Sequence, residues 1–499
     1  MRRYAVFSLK LAAAFVSVTG VGLLVGCQQA GQSKVNSPFA NVAQNRPIES
    51  RIPTATPTQR ASAIRTARDG LREQSQSILA AQREAEPKPK VMPKPTVVAS
   101  LGPTELKPPA QRATDAIAST RPPKDEPEIA TRQSGKPLAR FRAKLAGLKS
   151  GSRTKPVTVL HIGDSHVASD SFTRGIRRAL QNEYGNAGRG TVIPARAFKY
   201  GVADQVKMTS SGSWKARTAL RVKEQRFGLS GVSVATRSSR AKMTLVSQNG
   251  AFDWAQVTVV SGPSQGRVTL SAGGVEKTFD ARAASAGSKT FRIDARGSEL
   301  EVRGGGGSRI EVLSWATGRN TPGVRYVNFG LIGATVAITR RFDPRLVAND
   351  VKAIAPDLIV YGYGTNEGFN DNLDLKRYAR RGSAFMQSLA DAAPQADLVY
   401  IGAASGLRRK GRGVNCGGGW KEPRRLGPLR ETVQQMAKKQ NAAYWDWSDA
   451  MGGRCAINEW ASKRLASKDR VHLTSRGYAR SANAFAAFLM GDSVKVAQN

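Results

Sequence analysis

Three histidines, His161, His166 and His472, are the only imidazoles in this chain of 499 residues. Any serine–histidine chemistry must choose among them. Two flank a serine in His161-Ile162-Gly163-Asp164-Ser165-His166, and the third closes Asp469-Arg470-Val471-His472. A carboxylate three residues ahead of a histidine can orient the imidazole and stabilise its protonated form, the part a carboxylate plays in a Ser–His–Asp site. Ser165 would then be the nucleophile, His472 the general base and later acid, and Asp469 the orienting group. Each motif is weak alone, because Gly-Asp-Ser is a common turn and Asp469 could simply cap one. Two further strings offer hydrogen-bond donors for a developing oxyanion. Asn328-Phe329-Gly330-Leu331-Ile332-Gly333-Ala334 can turn the Gly333 N–H outward, and Tyr363-Gly364-Thr365-Asn366-Glu367 presents the Asn366 amide. Two or three preset donors are the largest expected rate effect, each contributing about 10²–10³ in turnover.

These residues need a scaffold that brings strand ends together. Lys155 to Ile162 reads as a short, apolar, β-branched buried strand, and the Gly163–His166 turn follows it. From Ser171 to Tyr184, Phe172, Ile176 and Leu180 share one helical face. Strand, turn and helix open an α/β unit, and ligands of open α/β sheets bind at the carboxyl ends of the strands. After about Val202 the helical period vanishes. Short alternating runs appear at 256–260, 267–270, 290–293, 299–302 and 309–313, which predict an all-β sandwich. The α/β texture then returns. Strands are predicted at 325–329, 358–361, 398–401 and 443–447, and helices at 373–392, 427–440 and 475–489. The simplest organisation is one α/β domain, at 136–201 and 323–490, interrupted by a β-sandwich at 202–322 and followed by a tail at 491–499.

In chain order, Gly163-Asp164-Ser165, Gly333, Asn366 and the pair Asp469 and His472 resemble the four blocks of the SGNH (GDSL-type) hydrolases. That resemblance implies a three-layer α/β/α sandwich with a mostly parallel sheet. It also implies an oxyanion hole built from the Ser165 N–H, the Gly333 N–H and the Asn366 side chain. His161 through Thr173, Asn186 through Gly190, Trp445-Asp446-Trp447 and Met451-Gly452-Gly453 resemble the peptidoglycan O-acetylesterase branch. In that branch a carbohydrate-binding-module-like β-sandwich separates the first two blocks, where this chain has its β-rich insertion. The resemblance spans roughly residues 155–490. Asp164 and His166 are candidates for hydrogen bonding behind the reacting groups, and His161 for the core. No metal or organic cofactor is implied, and three histidines exclude most histidine-rich metal sites.

The amino terminus resembles an export signal. Arg2 and Arg3 precede a run of about fifteen apolar or small residues, short for a membrane span. It ends Leu24-Val25-Gly26-Cys27, similar to a lipoprotein signal (residues 1–26) that leaves Cys27 lipidated. Gln28, by resemblance to bacterial lipoproteins, favours the outer membrane. Residues 27–135 are a Pro-, Gln- and Lys-rich tether; as a coil its ends would lie about 55–60 Å apart. An exported chain permits Cys416 and Cys455 to bridge, the alternative being two buried thiols. The 77 basic and 37 acidic side chains give a net charge of +40, and all but about nine of those charges lie beyond residue 135. No helix-turn-helix or zinc pattern accompanies that charge. An exported lipoprotein meets no chromosome, so an anionic envelope polymer fits better than nucleic acid. Hydrophobic content of 40% excludes a wholly disordered chain.

Three strings are set aside. Gly262-Pro263-Ser264-Gln265-Gly266 has the pattern of a nucleophile elbow, but strands are predicted on both sides, so it reads as a hairpin turn. Gly304–Gly307 lacks the Lys-Ser/Thr of a phosphate loop and reads as a sandwich turn. Trp254 and Trp315 could stack on sugars, though core packing is expected. The combined expectation is a lipid-anchored periplasmic serine esterase that removes O-acetyl groups from peptidoglycan or another envelope glycan. The alternatives are an acetyltransferase using the same residues, and a tethered glycan-binding protein without turnover.

Overall fold

The computed structural model describes residues 136–195 and 203–491. The leader, Cys27, the tether, residues 196–202 and the tail from 492 onward lie outside the described residues.

Five parallel strands form the central sheet. In spatial order they are Val324–Gly330, Val157–Gly163, Leu358–Gly362, Asp397–Gly402 and Ala443–Asp446. The run Val157–Gly163 is buried along its whole length, as a central parallel strand should be. Its side chains alternate between two cores. Val157 and Val159 face the helices Ala139–Lys149, Ser171–Tyr184 and Ser475–Met490. Leu160 and Ile162 face Pro344–Ile354, Leu375–Ala392 and Leu426–Lys439. The result is the three-layer α/β/α arrangement. Close packing of Ser171–Tyr184 on the last helix depends on Gly175, where a Cβ would meet that of Ala482 at 2.5 Å.

The insertion consists of two antiparallel sheets. One has the order Gly287–Gly297, Phe252–Ser261, Ile310–Gly318, Val232–Thr236 and Lys215–Thr218. The other has the order Val206–Ser211, Lys242–Ser247, Glu299–Gly304, Arg267–Ala272 and Val275–Asp280. Their core is continuous with one face of the parallel sheet, through Phe227, Leu331 and Phe342. Polar contacts reinforce the join: Asp350 accepts the buried Leu229 N–H at 2.7 Å, and the Phe227 carbonyl accepts the Asp343 N–H at 2.8 Å.

Two sequence expectations change. The β-rich region begins before residue 202, because Gly190–Val192 already pairs with Ile310–Gly318. Three residues are too few to show an alternating pattern. The turn at Gly262–Gly266 is not a hairpin, since Phe252–Ser261 and Arg267–Ala272 belong to different sheets. It is a corner at which the chain crosses the sandwich, held where the Gly266 N–H donates to the Arg309 carbonyl. Gly304–Gly307 begins another such crossing. Strand propensity marks that a run is extended, but the partner of each strand is a long-range matter. Trp315 is fully buried, with its indole N–H on the Ile193 carbonyl at 3.0 Å. Trp254 is 5% exposed and lies beneath the guanidiniums of Arg292 and Arg325, so both tryptophans pack rather than offer a sugar platform.

At the carboxyl edge of the sheet, Gly163 is in register with Gly330 on one side and Gly362 on the other. A Cβ on Gly163 would meet the Gly362 carbonyl at 2.5 Å, and one on Gly330 would meet the Ala168 nitrogen at 2.2 Å. The backbone at Asp164 and Ala168 therefore lies directly on Gly330. Gly330→Ala should cost about 1–3 kcal/mol, the usual range for forced overpacking, because its neighbours are backbone atoms that cannot swing away. Denaturant unfolding checks this; an unchanged midpoint would mean that the turn does not rest on the strand.

Candidate active site

Ser165 opens a single helical turn, Ser165–Ala168, directly after the strand Val157–Gly163. Asp164 caps that turn by accepting the His166 N–H at 3.0 Å. Its side chain is buried, and burial raises its pKa to about 6, against the lowering pull of the His166 N–H. Asp164 therefore shapes the turn and stands behind Ser165.

The last helix begins at Ser475, and the loop before it carries Asp469 and His472. His472 Nε2 lies 3.1 Å from Ser165 Oγ, and His472 Nδ1 lies 2.7 Å from Asp469 Oδ2. An ionised carboxylate can only accept, so Nδ1 carries the proton and Nε2 turns a lone pair toward the serine hydroxyl. The other Asp469 oxygen accepts the N–H groups of Val471 and His472 at 2.9 and 3.0 Å. One carboxylate thus folds the loop and aims the ring. The hydrogen bond that His472 donates to Asp469 raises the His472 pKa above its ordinary value, outweighing partial burial. Burial works against the Asp469 charge, but the His472 and backbone hydrogen bonds hold this carboxyl below its ordinary value.

The two donor strings meet beside this relay. The Leu331 N–H donates to the Gly163 carbonyl at 3.1 Å, which ties the 330–334 loop to the base of the serine turn. Gly333 is exposed at φ +75°, a conformation L side chains rarely adopt, and a Cβ there would meet nothing within 4 Å. Its neighbour Ile332 is 58% exposed. Asn366 lies on the short helix Thr365–Gly368, after the strand Leu358–Gly362. One Asn366 Nδ2 hydrogen donates to the Ala334 carbonyl at 2.8 Å. The second remains as a donor, since a primary amide has two.

Glu367 is the functional neighbour that the sequence reading passed over, although it directly follows Asn366. Its Oε1 accepts the Val336 N–H at 2.6 Å, so adjacent side chains 366 and 367 both grip the 334–336 segment. Burial pushes its pKa up to about 7. Nothing in composition separates this glutamate from a surface one; the signal was only its adjacency to Asn366.

The other two histidines are separated from the relay by burial. His161 Nδ1 meets the Tyr326 hydroxyl at 2.8 Å, and His166 Nδ1 meets the Tyr478 hydroxyl at 2.9 Å. Burial pushes both rings down to about 3, so they are neutral at neutral pH. Both line a small cavity behind the serine turn, with Phe172, Tyr363 and Trp447. Trp447 stacks on Phe172 with centroids 4.3 Å apart and donates its indole N–H to Ser481. Asp170 and Arg189 join a buried network instead. Asp170 takes Arg177 at 2.7 Å, and both arginines share the Asn328 side-chain oxygen at 3.0 and 2.7 Å. That network locks the strand Val324–Gly330 to its neighbours. Cys416 and Cys455 are joined by a disulfide, with Cα atoms 5.5 Å apart.

A parallel α/β/α sandwich with a serine–histidine–aspartate relay at its carboxyl edge, and an asparagine donor on the helical turn after the adjacent strand, defines a serine hydrolase of the SGNH type. The chain carries a GDSL-like lipase/acylhydrolase domain and is an SGNH serine esterase: residues 296–480 match the model of the GDSL-like Lipase/Acylhydrolase family. That match omits Ser165, which the insertion separates from the later blocks. Among solved structures the chain is similar to a peptidoglycan O-acetylesterase, at 26% identity and a TM-score of 0.62, covering 70% of this chain and 95% of that one. An acetyl xylan esterase, AlAXEase, aligns at 17% identity and a TM-score of 0.26, over 32% of this chain and 79% of its own. A family two carbohydrate esterase from Cellvibrio japonicus aligns at 10% identity and 0.23, over 57% and 99%. No curated protein sequence matches.

If His472 acts as the base, it must be neutral to accept the serine proton. Its raised pKa then sets the acidic limb of the rate profile above the ordinary histidine value of 6.5, with rate increasing as pH rises through it. Asp469→Asn should move that limb to lower pH and reduce turnover by as much as about 10⁴-fold. A pH–rate profile for both proteins checks this; an unmoved limb would detach Asp469 from His472.

Proposed function

We propose that this chain is a lipid-anchored cell-envelope esterase that removes O-acetyl groups from peptidoglycan. The observation that carries the reaction class is the relay itself, with Ser165, His472 and Asp469 connected at 3.1 and 2.7 Å beside Asn366. The substrate assignment is supported by the likeness, over 70% of the chain, to a peptidoglycan O-acetylesterase.

In this reading Ser165 Oγ attacks the acetyl carbonyl while His472 Nε2 takes the hydroxyl proton. Asp469 stabilises the imidazolium that forms. The carbonyl oxygen becomes an oxyanion, held by the Ser165 N–H, the Gly333 N–H and the free Asn366 amide hydrogen. The intermediate collapses as the C–O bond to the sugar breaks, and His472 returns its proton to the departing sugar hydroxyl. Water then attacks the acetyl-serine with His472 as base, and acetate leaves. No cofactor enters these steps. Transfer of the acetyl group to a second sugar would use the same residues, with a glycan hydroxyl in place of water.

The Leu24-Val25-Gly26-Cys27 string supports the anchor, and the Pro-rich tether that follows would let the esterase reach glycan away from its membrane. An outer-membrane, periplasm-facing site is the location we assign.

Incubating the full chain with O-acetylated peptidoglycan should release acetate, and Ser165→Ala should abolish release. Asn366→Ala should lower turnover about 10²–10³-fold with a smaller effect on KM. Acetylation of an added glycan acceptor without free acetate would assign a transferase instead. No Ser165-dependent turnover in a folded sample that still binds glycan would assign a binding protein. Separately, Cys27→Ala should move the protein from the membrane to the soluble fraction on cell fractionation; retention in the membrane would remove the lipid anchor.

A further inference from the structure

The segment from Arg408 to Arg425 holds seven lysines or arginines and one carboxylate, Glu422. It contains a two-stranded hairpin, Gly413–Asn415 against Lys421–Pro423. Glu422 is buried and already shared by Arg430 and Arg454, each at 2.9 Å. Asp371 is taken by Arg408 and, at 3.9 Å, by Arg424. Arg409, Lys410 and Arg412 are exposed and enter no ion pair among the described residues.

This basic hairpin is fastened to both catalytic loops. On one side the Leu407 N–H donates to the Arg470 carbonyl at 2.8 Å, two residues before His472. Arg409 and Arg470 pack against the Trp420 ring, at 4.4 and 5.3 Å from its centroid. On the other side Arg408 donates to the Phe369 carbonyl at 2.9 Å, directly after the helical turn that carries Asn366. The disulfide fixes the hairpin to Cys455, and Asn458 bridges the Cys416 carbonyl and the Arg470 guanidinium at 2.9 and 3.1 Å.

Clustered like charges repel, and here a covalent bridge holds them in place between the general-base loop and the oxyanion loop. At physiological salt their field decays within about 8 Å. The cluster can therefore act only on a group that is already at the rim of the site. Planar guanidiniums match carboxylates through paired hydrogen bonds. Resting on the esterase reading above, we propose that Arg409, Lys410 and Arg412 form a docking rim for carboxylates carried by the glycan substrate, such as those of peptide stems. The rim selects acetylated glycan that is also acidic and places its acetyl group over Ser165.

The test uses the full chain in detergent, carrying Ser165→Ala so that substrate persists, and co-sedimentation with peptidoglycan sacculi. One batch of sacculi is untreated and one has its carboxylates converted to amides. Amidation should weaken binding about 10-fold, the size expected of two or three exposed ion pairs. Arg409→Ala/Lys410→Ala/Arg412→Ala should weaken binding to untreated sacculi by a similar factor and leave binding to amidated sacculi little changed. Arg409→Lys/Arg412→Lys should bind untreated sacculi more tightly than the alanine variant and less tightly than the unaltered arginines, since charge is kept and the paired hydrogen bonds are lost. Equal loss on both batches, or no effect of amidation, would overturn the proposal. Binding that ignores amidation but is competed by polyphosphate would overturn it in favour of a phosphate polymer. In the Ser165 protein, the triple variant should raise KM for acetate release from untreated sacculi about 10-fold with kcat little changed. Absence of any Ser165-dependent acetate release would remove the esterase reading while the sedimentation result still decides the rim.

Discussion

The site depends on how closely a turn of backbone can be laid onto the edge of a sheet. Gly163, Gly330 and Gly362 stand in register on three adjacent strands. None has a side chain to hold the 164–168 turn away. The turn therefore drops onto the strand ends, and Ser165 emerges where the loops after two neighbouring strands also arrive. From that contact follow the Leu331-to-Gly163 hydrogen bond, the position of Gly333 and the reach of Asn366 to Ala334. A side chain at Gly330 would push against the backbone of the turn, and one at Gly163 or Gly362 against the neighbouring strand and Val167.

Electrostatics then divides chemically similar residues by environment. Three histidines share one region, yet only His472 has a carboxylate partner and partial access to water. His161 and His166 are buried against tyrosine hydroxyls and stay neutral. The carboxylates divide in the same way. Asp469 is kept charged by the hydrogen bonds it accepts, whereas burial pushes Asp164 up to about 6 and Glu367 up to about 7. The charged carboxylate tunes the base. Each of the other two gives one oxygen to a backbone N–H and holds the serine turn or the 334–336 loop in shape.

The β-rich insertion is joined to this machinery through a shared hydrophobic core and through Asp204, whose N–H donates to Asp170, whose carbonyl accepts from Arg189 and whose carboxylate pairs with Arg177. It reaches the site from the side of the strand Val324–Gly330. The disulfide-bonded basic hairpin approaches from the other direction, laced to the Asn366 and His472 loops. An apolar join on one side and a basic hairpin on the other thereby frame the reacting groups.

The sequence by itself determined which local segments form elements and which residue types stand at strand ends. The helix Ser171–Tyr184 was legible because Phe172, Ile176 and Leu180 repeat at helical spacing. The strands read at 155–162 and 358–361 were legible as short β-branched runs, each followed by a glycine. Ser165, Gly333, Asn366, Asp469 and His472 could be chosen because their short motifs, each weak alone, stand together in the chain order of one family's blocks. What only the tertiary structure decided were the pairings between distant parts. Gly262–Gly266 became a crossing between sheets, and Gly190–Val192 joined a strand more than a hundred residues away. Glu367 became a brace for a loop that composition does not connect to it, and the basic hairpin came to lie against both catalytic loops. Propensity and spacing act over a few residues. Register, burial and the sign of a pKa shift depend on which remote atoms displace water around a group, and those are fixed only when the chain has closed on itself.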